Sequence, residues 1–272
     1  MSQIVYRSPQ TRFDLVKIYK EIWAYRSFLL NWTKRELEIR YKGSFLGIIW
    51  SFFNPLLSLI VYFFVFSRIT NIQIPNYLVF LFSGMICWFF FVQVVTRATS
   101  LMSDSSSILK KVYFPQEILI ISVIVSGAIN FLISFGLVVL MMLITKAPFT
   151  LHIFWVPIIL ALQCLFLYST SLLLTSLGAL IKDLSPIIPT LISLMFFVTP
   201  IVYSVEAISK KYAWVLNSQP IANLISLYRD VIHLGVHPDW ILLIYCFVFN
   251  IVWYLFCHWV FHRLRFIVYD LS

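Results

Sequence analysis

Residues Ile118 to Thr145 read ILIISVIVSGAINFLISFGLVVLMMLIT, twenty-eight positions without an Asp, Glu, Lys or Arg. The hydrocarbon core of a bilayer is about 30 Å thick, and about 20 apolar residues of helix cross it. Working outward, the chain holds six such runs: Phe45 to Phe66, Tyr77 to Val95, Ile118 to Thr145, Ile153 to Ile181, Ile187 to Val205 and Ile241 to Phe261. They are continuously apolar, where the strands of a membrane barrel would alternate. The third and fourth are long enough to tilt or protrude. The fifth is short and ends near Pro200, which points to a broken or partly re-entrant helix. Composition agrees. Apolar and aromatic residues make up 61% of the 272 residues and charged residues 11%, against about 25% charged in ordinary soluble domains. Mean hydropathy is +0.92. The reading is an all-α integral membrane protein with six transmembrane helices, preceded by an N-terminal amphipathic interfacial helix.

That first element covers residues 12 to 40. Leu15, Ile18, Ile22, Tyr25, Leu29 and Trp32 recur every three or four residues, with Lys17, Lys20, Glu21 and Arg26 between them. Such a helix suits the inner headgroup layer; a soluble helix packed on a partner is the alternative. The first forty-odd residues are charged throughout, so no cleavable signal peptide is expected. In a soluble chain, 20 Lys+Arg against 11 Asp+Glu would suggest nucleic acid. In a membrane chain the same excess reads as topology, and no nucleic acid is implied. With both termini inside, fifteen basic residues fall on the inner side and five on the outer: Arg68, Lys146, Lys210, Lys211 and Arg229. Residues 1–44 then form a cytoplasmic segment and 45–272 a six-span domain, with a cytoplasmic loop at 98–117. The longest outer segment, 206–240, carries apolar stretches suited to short helices that dip into the interface or cap an exit.

Several chemistries are missing. No span, within these limits, contains an ionisable Asp, Glu, Lys or Arg of the kind that ion-coupled transporters and intramembrane proteases keep at membrane depth. No G-x-x-x-x-G-K-S/T phosphate loop occurs among the seven glycines. His258 and His262 share a helix face but lack a third ligand nearby, so no metal site is read. The four cysteines, all in apolar runs with no C-x-x-C pair, read as small hydrophobes. The polar residues within the spans are neutral: Asn54, Ser58, Gln93, Asn130, Gln163, Thr170, Ser171, Ser193, Thr199 and Asn250. Each has two readings, as a hydrogen-bonding helix contact or as the wall of an uncharged channel for a hydroxyl-rich substrate.

Four segments carry a resemblance. The first is Lys34 to Leu56, in which Arg40-Tyr41-Lys42 at the inner interface leads to Leu-Gly, Trp50 and Asn54-Pro55-Leu56. The second is Ile108 to Leu119, with Lys110-Lys111 and Tyr113-Phe114-Pro115-Gln116-Glu117. The third is Lys182-Asp-Leu followed by Phe196-Phe197-Val-Thr-Pro-Ile-Val-Tyr203, and the fourth Pro220 to Arg229, ending Leu-Tyr-Arg. In this order they resemble the membrane permease subunit of bacterial ABC transporters that export polysaccharide: O-antigen, capsule and teichoic acid. Two positions depart from the family pattern. Gln116 stands where Arg follows Phe-Pro, which puts a charge contact there in doubt, and Gln219-Pro220 replaces Asn-Pro.

The resemblance implies a multi-pass protein of the bacterial cytoplasmic (inner) membrane, moving lipid-linked polysaccharide outward, with O-antigen first among the candidates. It implies two copies of a separate cytoplasmic nucleotide-binding ATPase. ATP and magnesium would bind there, leaving this chain without cofactor or catalytic residue. A homodimer would place the pore on a twofold axis. The loop holding Lys110, Lys111, Tyr113, Phe114, Pro115, Gln116 and Glu117 would be the coupling element, with Phe114 as an anchor for the ATPase. Pro55 removes a helix hydrogen bond from the first span, and a kink lined by Asn54 and Ser58 would suit a pathway wall. Trp50, Phe53, Tyr62, Phe196, Phe197 and Tyr203 are candidate rings for the apolar faces of sugars, against the reading of lipid-facing belt aromatics. The rivals are a lipid or drug exporter of the same superfamily and a membrane glycosyltransferase or acyltransferase. The basic count predicts that a reporter fused after Ser272 is active only in the cytoplasm. Activity confined to the outer side would overturn the topology.

Overall fold

The computed structural model describes residues 23–41, 43–45, 47–69, 74–109, 114–205 and 218–271. Its helices are α1 (Arg26–Tyr41), α2 (Trp50–Phe64), α3 (Tyr77–Leu109), α4 (Glu117–Thr145), α5 (Val156–Leu180), α6 (Leu184–Val198), α7 (Pro220–Arg229) and α8 (Trp240–Leu271). A 3-10 turn, Gly47–Ile49, leads into α2 and another, Leu151–Trp155, leads into α5. π-helical turns follow α2 (Val65–Ile69) and α7 (Asp230–Leu234). No strand occurs among the described residues.

Five segments are long and apolar enough to cross a membrane: Trp50–Ser67, Tyr77–Ser105, Glu117–Thr145, Leu151–Leu180 and Trp240–Leu264. The fifth apolar run forms only the 15 residues of α6. At about 1.5 Å per residue that is about 22 Å, short of the bilayer core. Its chain turns extended at Thr199, just ahead of Pro200, and the short, broken helix read from the sequence is what forms.

α3 is the central post. It packs against α2, α4, α5, α6 and α7, and 78% of its most apolar stretch is buried, against 11% for α2 and 17% for α8. α5 joins α3 to α8. Two glycines allow this closeness. A Cβ on Gly178 of α5 would collide with the backbone carbonyl of Thr99 on α3, and one on Gly127 of α4 would come within 2.6 Å of the Phe90 ring. Thr175, one turn before Gly178, donates its hydroxyl to the Ala98 carbonyl at 3.2 Å.

Two boundaries shift. The second span does not give way to a loop at residue 98, because α3 continues to Leu109 and carries Arg97 and Asp104 with it. The outer segment does not merely cap the bundle. Residues 206–217 lie outside the described residues, but α7 re-enters the fold and packs against α3, α5 and α8 with eight of its ten residues buried. Of the N-terminal helix expected at 12–40, residues 12–22 lie outside the described residues. The remainder, α1, packs on α4.

These contacts rank substitutions. Gly178→Ala sets a methyl against a rigid backbone carbonyl and is expected to cost about 3 kcal/mol, at the upper end for overpacking. Gly127→Ala meets a ring that can shift, for about 1 kcal/mol. Gly136 has nothing within 4 Å of its added Cβ, so Gly136→Ala is expected to be neutral or stabilising. Thermal unfolding of the detergent-solubilised protein checks the order, and Gly178→Ala unfolding at the wild-type temperature would refute the close helix approach.

Candidate functional site

Low-dielectric surroundings force every polar side chain to find a partner, and where the ten neutral residues find theirs sorts them. Gln163 on α5 donates to the Cys87 carbonyl at 2.9 Å and accepts from the Tyr228 hydroxyl of α7 at 3.0 Å. Asn250 donates to the Leu162 carbonyl at 3.2 Å. Thr170 bonds back to Phe166 within its own helix and accepts from the Trp253 indole at 3.1 Å. Ser193 bonds back to Pro189, and Thr199 donates to Gln219. Gln163, Asn250, Thr170 and Thr199 thus join one element to another, and Ser193 spends its bond within α6. The Ser171 hydroxyl is buried without a partner among the described residues.

The remaining four, Asn54, Ser58, Gln93 and Asn130, converge on one cavity of about 280 Å³ between α2, α3 and α4. Trp50, Asn54 and Ser58 reach it as successive i, i+4 positions on one face of α2, with Pro55 beside them. Three of the eight channel candidates thus come together. Tyr62 instead joins a ring cluster with Phe196, at 5.0 Å between centroids, and Phe196 meets Trp88 at 6.0 Å and Phe197 at 5.4 Å. Phe53 and Phe197 point out of the bundle. The Tyr203 hydroxyl donates to the carbonyls of Phe197 at 3.1 Å and Val198 at 2.8 Å, closing the end of α6.

A second polar centre was hidden in the sequence. Arg229, counted above as an outer-loop charge, is buried at the C-terminus of α7. Its Nη1 donates to the Pro200 carbonyl and Nη2 to the Ile201 carbonyl, both at 2.6 Å, and its guanidinium lies 3.6 Å from the Phe80 ring centroid. Gly84, whose added Cβ would sit 3.1 Å from Nη2, leaves the space. No carboxylate among the described residues pairs with Arg229. Tyr77 ties the same turn by donating to the Val202 carbonyl at 2.8 Å. Next to it, burial first and the Arg229 charge second pull His233 down to about 4, so that ring is neutral at physiological pH.

At the other end of α3, Arg97 forms a bidentate pair with Glu36 of α1, at 2.9 and 3.0 Å, and also binds Asp104. Beside it Phe114 is 1% exposed, its ring 4.6 Å from Phe28 and 6.3 Å from Trp32 of α1. Phe114 therefore fills a pocket within its own chain, where the sequence offered it as an anchor for a partner. Pro115, Gln116 and Glu117 are buried too. Lys110, Lys111 and Tyr113 lie outside the described residues, as does Lys42. Arg40 and Tyr41 are placed at the end of α1. His258 and His262 pack ring to ring at 4.6 Å, and no group of three or more His, Cys, Asp or Glu that could hold a metal occurs among the described residues.

Residues 29–233 match the model of the ABC-2 type transporter family. The chain belongs to that family. Its members are membrane permease components of ABC transporters, which have no ATPase of their own. This ABC-2 permease is 31% identical over 227 residues to the O-antigen export system permease protein RfbA of Myxococcus xanthus, covering 83% of this chain and 87% of that one. It is 32% identical over 200 residues to a Klebsiella pneumoniae protein of the same description, covering 73% and 77%. A more distant relative is the polysialic acid transport protein KpsM of Escherichia coli, 24% identical over 229 residues, covering 80% and 86%.

Arg229 is the residue of this ABC-2 permease that sequence reasoning assigned least well. The available signal was the Leu-Tyr-Arg ending of an apolar stretch, where a charge among buried residues asks for partners. Arg229→Met is expected to leave two buried carbonyls unpaired, at about 1–3 kcal/mol each. Arg229→Lys keeps the charge but cannot fork to both acceptors, and should fall between. Thermal unfolding together with protease nicking near residue 200 measures this. Wild-type behaviour of Arg229→Met on both readouts would remove Arg229 from its bracing role.

Proposed function

We propose that this ABC-2 permease moves lipid-linked polysaccharide, with O-antigen first among the candidates, outward across the cytoplasmic membrane, driven by two copies of a separate ATPase. The observation that carries this reading is the identity of 31% and 32% to two O-antigen export permeases, over 87% and 77% of their lengths. The physical character of the bundle supports it. The polar groups that line its cavity are uncharged amides and hydroxyls, which are compatible with a polyhydroxylated cargo.

The complex is a homodimer in this reading. The centre of one bundle is filled by α3, so a route for polymer has to run between copies. α2 and α6 supply large exposed apolar faces, Phe53 and Leu57 on one and Leu194 and Phe197 on the other. Asn54 is exposed among them, where a lipid-facing amide is unfavourable and a partner or aqueous lumen satisfies it. With both termini cytoplasmic, α6 completes a sixth, broken crossing, and α1 lies at the inner face. The loop Lys110 to Glu117 couples the ATPase to the bundle, with Phe114 passing the push to α1 through Phe28 and Trp32.

The chain purified without its ATPase is expected to release no phosphate from ATP above background. Deleting its gene should remove surface polysaccharide while lipid-linked glycan accumulates inside. Sustained ATP hydrolysis by the homogeneous chain, or undiminished surface glycan in the deletion strain, would sink the assignment.

A further inference from the structure

Three ion pairs join described residues, and one of them, Glu36–Arg97, links two helices. Glu36 belongs to the buried face of α1, with Trp32 and Thr33 one turn before it. Arg97 holds its carboxylate through Nε at 2.9 Å and Nη2 at 3.0 Å. Nη1 turns the other way, to Asp104 and to the Ser100 hydroxyl at 3.1 Å, and Ser100 in turn donates to Asp104 at 3.1 Å. Ser100 and Asp104 follow Arg97 by three and seven residues on α3, so they stay beside it however α1 moves. The two acids differ in surroundings: the Glu36 side chain is 6% exposed and that of Asp104 51%. One guanidinium is shared between a buried acid on a neighbouring helix and a solvated acid on its own.

A lone buried pair resists separation, because parting it leaves a buried charge without a partner. Here separation strands nothing. Arg97 keeps Asp104 and Ser100, and Glu36 leaves with α1 and is hydrated as that face opens. While α1 is in place, the two negative charges repel each other across the guanidinium, which loosens the hold. α1 has only sixteen residues, a length at which an isolated helix is marginal in water, so its attachments decide how often it comes away.

We propose that Arg97 is a positioning residue at the centre of a two-state latch. In one state α1 is held by Glu36 on Arg97; in the other α1 is released and Arg97 rests on Asp104 and Ser100. The latch sets how readily α1 moves against α3, and the use of that movement in the transport cycle rests on the export reading.

Amide hydrogen exchange of the full-length permease in detergent reads the latch, because released α1 exposes its amides. Rates in α1 peptides are taken relative to those in α8, which packs on α5 and α7. Glu36→Gln removes the partner on α1 and is expected to speed α1 exchange about tenfold. Asp104→Asn removes the repulsion in the held state and the resting partner in the released state. Both effects favour the held state, so α1 exchange should slow, by about threefold for so exposed an acid. Simple bracing predicts the opposite sign, since losing any contact would loosen the junction. Asp104→Glu keeps the charge and should exchange like wild type. The latch is overturned by Asp104→Asn exchanging at the wild-type rate or faster, by Asp104→Glu behaving like Asp104→Asn, or by wild-type exchange in Glu36→Gln.

Vesicles containing the permease with its ATPase test the use of the latch. Glu36→Gln is expected to keep hydrolysing ATP while exporting less glycan per ATP, and Asp104→Asn to slow hydrolysis and export together. Wild-type values in both variants would overturn the role of the latch in transport. A wild-type complex that neither hydrolyses ATP nor exports glycan defeats the export reading, and the exchange rates of the permease alone still decide the latch.

Discussion

A chain that breaks its helix inside a membrane bundle must satisfy the carbonyls it uncovers, because no solvent is there to do so. In this permease the break falls after Val198, and Arg229 answers it with two hydrogen bonds at 2.6 Å to the carbonyls of Pro200 and Ile201. Much of the surrounding architecture follows from that capture. Arginine is suited to it because its planar fork reaches two acceptors at once, whereas a lysine offers a point charge. To bring the fork there, α7 must re-enter the bundle. To make room, Gly84 must lack a side chain, and Phe80 supplies the face on which the guanidinium rests. The ten-residue α7, too short to be stable by itself, is held by burial on three sides and by the Tyr228–Gln163 bond.

α3 connects this brace to the opposite end of the molecule. Its 33 residues span about 50 Å as continuous helix. Phe80 and Gly84 lie under Arg229 near one end, and toward the other Arg97 meets Glu36 of α1 while binding Asp104 of its own helix. Both ends are clamped by an arginine, but with different chemistry. Arg229 is met by neutral dipoles and a ring, and Arg97 by the carboxylates of Glu36 and Asp104. A helix buried along its length transmits displacement, because close-packed interiors have little room to absorb it. Movement imposed on α1 or on the turn at Phe114 therefore bears on the same rigid element that supports the broken end of α6.

Much of this was legible in the sequence, for identifiable reasons. Five apolar runs became spanning segments because length and hydropathy alone decide that. The fifth run became a short helix, as its modest length and Pro200 had pointed to. Other features were hidden because they depend on pairs distant in sequence. Phe114 reads as a free anchor until α1 arrives with Phe28 and Trp32, some eighty residues earlier. Arg229 counts as a loop charge until residues 200 and 201 present their carbonyls. The break at residue 98 was drawn by the charge of Arg97, yet the helix runs through it, because Glu36 removes the cost of that charge locally. In each case single-residue polarity misled where a partner on another element changed its meaning.

The same principle separates the neutral polar residues, which composition could not rank. Gln163, Asn250, Thr170 and Thr199 use their hydrogen bonds between elements, and Ser193 uses its own within α6. Asn54, Ser58, Gln93 and Asn130 line a space instead, and Asn130 keeps an acceptor unused. Membrane helices can associate through small residues and hydrogen bonds that close upon themselves, as Gly178 and Thr175 do on α5. The Asn130–Gln93 bond closes between α3 and α4, while Asn54 and Ser58 of α2 line the cavity and add polarity that helix association alone does not require. No charged side chain lines that volume, so its polarity is carried by neutral amides and hydroxyls alone.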